Sequence, residues 1–144
     1  MSRREMREQV FKLLFRVEFN DENAMQQQKE LFFEDGTVAV SEDEDVMVAD
    51  NFKEEIAAKY EKVAEKIAQI DEMINEKTEG WKTSRMGKVD LAILRLAVYE
   101  IVFDDTIPNP VAINEAVELA KKFGRDESPK FINGVLAKVI GDGR

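Results

Sequence analysis

Two clusters in this chain pair positive charge with the means to grip a polyanion. Near the N-terminus, Arg3, Arg4 and Arg7 carry guanidinium forks, whose planar donors match phosphate oxygens two at a time. Far along the chain, KKFGRDESPKF sets Lys121, Lys122, Arg125 and Lys130 around Phe123 and Phe131. Cations interleaved with aromatics suit single-stranded RNA, because the backbone wants charge and unstacked bases want flat partners. Lysines also sit at many helix ends and most phenylalanines are core, so the pattern admits RNA without demanding it.

Other chemistries have less to stand on. The chain has no cysteine and no histidine, which removes disulfides, thiolate nucleophiles, the commonest general base and the commonest metal ligand. Glu115 and Glu118 stand three apart, with Glu100 on a neighbouring segment, but di-iron bundles pair such carboxylates with histidines. These glutamates have a simpler use. Arg95 lies in an apolar context and needs a carboxylate, which Glu115 or Glu118 is expected to supply. The acidic run from Glu34 to Asp45 lacks the glycine and distal-glutamate placement of a calcium loop and reads as a solvated loop. No glycine-rich phosphate loop and no nucleophile elbow occurs. Neither an enzyme, a metal site nor a cofactor is expected.

A net charge of −9 opposes nucleic acid at first sight, but distribution matters more than total. In residues 1–16, five basic residues against two acidic ones give +3. Residues 17–80 give −13, residues 81–120 give −2, and residues 121–138 return to +3. Two basic ends flank an acidic middle. No apolar run approaches the roughly 20 residues of a spanning helix, and the start, MSRREMREQVFK, is charged where a signal peptide turns apolar. A cytoplasmic protein with no membrane role is expected.

The elements that must position these residues are helical. In Asp90–Ile101, Leu91, Leu94, Val98 and Ile101 recur at steps of three and four; Val111, Ala112, Ala116, Leu119, Ala120 and Phe123 do so in the next segment. The link DDTIPNP cannot be helical throughout, so the two make a hairpin. Asn109 is the expected cap of its second helix, Pro110 the first-turn residue and Gly124 a left-handed stop. Upstream, the spacing predicts helices over residues 3–19, 22–33 and 46–77, the last as one long rod. Downstream, Ser128 is the expected N-cap of a final helix, with Pro129 at its first position. Phe131, Ile132, Val135, Leu136 and Val139 overfill a narrow face there, leaving Phe131 at the edge. The 144 residues are sized for a single domain, 1–144, with a substantial core.

Four blocks are specific enough to suggest a family: Trp81-x3-Arg85-x4-Asp90, AILRLAVYEI (Ala92–Ile101), VAINEAVELAKKFG (Val111–Gly124) and SPKFINGVL (Ser128–Leu136). In order and spacing the chain resembles the NusB family of bacterial transcription antitermination factors. The resemblance implies an all-α fold, a compact bundle of about seven helices in two subbundles. It implies binding to single-stranded boxA-type RNA in nascent ribosomal RNA leaders, together with the small-subunit ribosomal protein that doubles as NusE. Other Nus factors and RNA polymerase would be indirect partners. Carried onto this sequence, the RNA-binding residues are Arg3, Arg4, Arg7, Lys121, Phe123, Arg125, Lys130 and Phe131, and the partner-protein face lies near Arg85 and Asp90. Two relatives of the resemblance remain open. One is a protein-interaction homologue of the same fold; the other is a detached RNA-binding domain related to ribosomal RNA cytosine methyltransferases, whose catalytic domain 144 residues leave no room for.

Overall fold

The computed structural model describes residues 2–17, 50–78 and 82–141. Among them are six α-helices and one short 3-10 turn, with no strand. The chain divides into two compact units, Met1–Ala64 and Glu65–Arg144. The expected helix over residues 22–33 and the acidic loop after it lie outside the described residues.

In the first unit, α1 spans Arg3–Val17. Its start is fixed by a reciprocal pair that apolar spacing does not reveal. The Ser2 hydroxyl accepts from the Glu5 backbone N–H at 3.1 Å and donates to Glu5 Oε1 at 3.2 Å. An acid thus stands in the first turn, where the helix dipole favours it, among the misplaced arginines. Val10, Phe11, Leu13 and Leu14 are buried at the expected spacing. The second helix, α2 (Asp50–Glu65), buries Ile56, Tyr60 and Val63 at steps of four and three. Burial pushes the Tyr60 hydroxyl up to about 12, with the Glu61 charge adding to it.

The expected rod does not continue unbroken. At Lys66 the backbone turns (φ −102°, ψ 1°) and a separate helix, α3, runs Ile67–Lys77. No proline or glycine marks the break, so periodicity alone reads through it. The second unit begins here. Ile70 and Ile74 are fully buried. Thr78 closes α3 by sending both its backbone N–H (3.0 Å) and its hydroxyl (2.6 Å) to the Ile74 carbonyl. The 3-10 turn Thr83–Arg85 follows, tied back by a 2.8 Å bond from the Thr83 N–H to Asn75 Oδ1.

The hairpin is the centre of this unit. Its first helix, α4 (Lys88–Phe103), packs against α3, α5 and α6 and is buried at every residue from Leu91 to Ile101. Each fully buried aliphatic there stabilises by roughly 1.5–3 kcal/mol, before entropy is counted. Arg95 falls within this stretch, and it pairs with Asp71, a residue the spacing does not suggest. Its Nε donates to Asp71 Oδ1 at 2.9 Å and its Nη2 to Oδ2 at 2.7 Å, a two-pronged pair from α4 to α3. Burial pushes the Asp71 carboxyl up to about 6 and lowers Arg95 to about 10. Both charges therefore bear a desolvation cost.

The link folds on an Asp104 turn, in which Thr106 sends its N–H (3.0 Å) and its hydroxyl (2.5 Å) to Asp104 Oδ1. Helix α5 then spans Asn109–Phe123, with Pro108 rather than Asn109 at the cap position and no side-chain cap bond. The Pro108 carbonyl accepts from Val111 and Ala112 instead. Ala112, Ala116 and Ala120, four apart, give α5 a buried face with little bulk. The last helix, α6 (Ser128–Gly141), buries Ile132, Val135 and Leu136.

Candidate nucleic-acid interface

The densest set of expected RNA contacts lies on the turn from α5 to α6. Lys121 and Lys122 occupy the last turn of α5, where cations complement the helix dipole. Both are exposed. Lys121 reaches Glu118 at 3.2 Å across open surface, an attraction that water and salt keep small. Lys122 Nζ lies 5.4 Å from the centre of the Phe123 ring. Phe123 itself is half-buried.

Gly124 ends the helix, but not in the left-handed conformation expected of it. Its φ is −92° and its ψ −167°, extended backbone open to any residue. Space explains the glycine instead. A Cβ added there would lie 2.6 Å from both Cβ and Oγ of Ser128 and 2.8 Å from the Ala120 carbonyl oxygen. Ser128 in turn faces backward along the chain. Its hydroxyl accepts from the Arg125 N–H at 2.9 Å, and its own N–H donates to the Arg125 carbonyl at 3.0 Å. Only 2% exposed, it closes the turn that precedes its own helix.

Beyond this closed turn lie the remaining expected contact residues. Arg125 and Lys130 are exposed, while Phe131 is half-buried next to the fully buried Ile132. Phe131 therefore sits at the edge of the α6 stripe. The structure brings Lys121, Phe123, Arg125, Lys130 and Phe131 onto one continuous segment of one unit.

The N-terminal arginines belong to the other unit and divide among themselves. Arg3 and Arg4 are exposed; Arg7 is only 8% exposed. A phosphate contact from Arg7 has less surface to use than one from its neighbours. Of the pair expected at the partner face, Arg85 is exposed at the end of the 3-10 turn, and Asp90 is half-buried in the first turn of α4. Sequence reasoning does not single out Gly124 and Ser128 as a contacting pair. Their spacing of four across a turn is the available signal.

No group of histidine, cysteine or carboxylate side chains able to hold a metal occurs among the described residues. None of the helices described is long and apolar enough to cross a membrane.

A model of the NusB family matches residues 4–141. A relative, transcription antitermination protein NusB of Agathobacter rectalis, is 53% identical over 138 residues, covering 96% of this chain and 98% of the relative. NusB of T. maritima superposes with a TM-score of 0.76 at 31% identity, over 99% of this chain and 92% of that one. A crystal structure of antitermination factors NusB and NusE in complex with double-stranded RNA superposes with a TM-score of 0.76 at 25% identity, over 96% of each chain.

Proposed function

Since this chain belongs to the NusB family, we propose that it is a transcription antitermination factor that binds boxA-type RNA in ribosomal RNA leaders jointly with the ribosomal protein NusE. It works in the cytoplasm by binding rather than by catalysis, and needs no metal or cofactor. The observation that carries this reading is the α5–α6 turn, where exposed Lys121, Arg125 and Lys130 share one segment with two half-buried rings. Charge there neutralises phosphates, and the rings offer flat surface to bases. Exposed Arg3 and Arg4 add phosphate contacts, with Arg7 behind them. Arg85 and Asp90 are the proposed edge of the NusE face.

The net charge of −9 opposes the approach of RNA, so the lone protein should bind weakly and NusE should raise its affinity. The test is a titration of labelled single-stranded boxA-type RNA, and of its duplex, with and without NusE. Tighter binding of the single strand, strengthened by NusE, is the expected result. Equal affinity for a scrambled RNA under all conditions would sink the reading.

A further inference from the structure

We propose that Gly124 and Ser128 form an interlock that positions Arg125, and with it the start of α6, for RNA. The inference rests on the reading that the Lys121–Phe131 segment contacts RNA. Three observations carry it. First, Gly124 is extended rather than left-handed, so backbone conformation does not call for glycine there. Second, the missing side chain is the space that Ser128 fills, at 2.6 Å from where a Cβ would stand. Third, the Ser128 hydroxyl takes the Arg125 N–H and its N–H takes the Arg125 carbonyl, so both backbone groups of Arg125 are held by one residue.

The physical consequence concerns entropy. An arginine in a free loop must be ordered when it meets phosphate, and that ordering weakens binding. Here the backbone of Arg125 is fixed beforehand by a buried residue, while its side chain stays exposed. Ser128 is at the same time the first residue of α6, so the interlock also sets the entry of Lys130 and Phe131. Gly124 and Ser128 touch no RNA in this scheme; they are positioning residues.

A double-mutant cycle separates positioning from plain stability. Wild type, Arg125→Ala, Ser128→Ala and the double variant are each titrated with labelled single-stranded boxA-type RNA in the presence of NusE, and each is melted. Ser128→Ala is expected to weaken binding about fivefold, with a coupling of similar size that makes Ser128→Ala nearly silent in the Arg125→Ala background. Ser128→Thr, which keeps the hydroxyl, should restore most of the affinity. Should Ser128→Ala not fold, Gly124→Ala takes its place in the same cycle, since it displaces the turn while leaving the hydroxyl present. Additive effects, or a lowered melting temperature with unchanged affinity, overturn the interlock and leave the RNA-contact reading standing. An Arg125→Ala variant that binds as wild type likewise overturns the interlock, because the side chain being positioned would then have no role.

Discussion

Arg95 and Arg125 lie thirty positions apart and serve opposite ends. Arg95 sits in the middle of a helix with no exposed side, held by two hydrogen bonds to Asp71. Arg125 stands in a turn, with its backbone fastened to Ser128 and its side chain in water. One guanidinium has given up its hydration to join two helices. The other keeps its hydration until something anionic displaces it. Residue type alone does not separate a buried, paired arginine from an exposed one in this chain; the surroundings do.

The largest effect should come from breaking the buried side of this contrast. Asp71→Ala leaves Arg95 without its carboxylate in a desolvated site and should cost about 3 kcal/mol, lowering the melting temperature by roughly 10 °C. Asp71 is 23% exposed, which places the cost at the lower end of the range for such pairs. Replacing both residues with Leu and Met should recover most of the loss, because the pair itself bears the cost of burying two charges. RNA affinity of the folded protein should not change in either variant. The pH dependence follows in sign. The Asp71 carboxyl titrates near 6, above its ordinary 3.8, so folding favours its protonated form. As pH falls through that window, wild type should gain stability relative to Asp71→Asn, as read by denaturant titration at each pH.

Phe131 tests the other side. Stacking of one base is worth about 1–3 kcal/mol, so Phe131→Ala should weaken RNA binding by about one to two decades. Because the ring is only half-buried, the melting temperature should move by a few degrees at most. A large drop in melting temperature with normal binding by the folded fraction would assign the ring to the core.

The smallest effect is expected at the N-terminus. Arg3→Ala with Arg4→Ala should reduce the slope of log affinity against log salt by roughly 0.7 for each phosphate that is no longer neutralised, and should weaken all RNAs alike. Leaving Arg7 intact keeps stability out of the comparison, since that side chain is largely buried. An unchanged slope would remove the N-terminal arginines from the interface.

Much of this is legible in the residues. The spacing of Leu91, Leu94, Val98 and Ile101 predicts α4, and all four are buried. The crowding of apolar residues in the last helix predicts that Phe131 lies at the edge, where it is found. What escapes the sequence depends on distance or on local space. Asp71 lies 24 residues from Arg95, on a helix whose rotation about its axis no pattern fixes, whereas Glu115 and Glu118 lie on the obvious neighbour. The turn at Lys66 has no breaker residue to announce it. A glycine after a helix is most often a left-handed residue, whereas the reason for Gly124 is a neighbour's side chain. The proposed contacts with RNA and NusE fall on surface residues, which packing does not constrain, so the pattern there is correspondingly thin.

Helix α4 has one further consequence, for motion. From Leu91 to Ile101 no residue of it faces solvent, and packed helices lie along it. Its amide hydrogens can therefore meet water only when the packing around them opens, and fraying at the helix ends does not expose them. Deuterium should enter this stretch last, at a rate set by opening of the surrounding packing rather than by local fluctuation. The slowest-exchanging amides of the second unit then act as a clock for that cooperative opening.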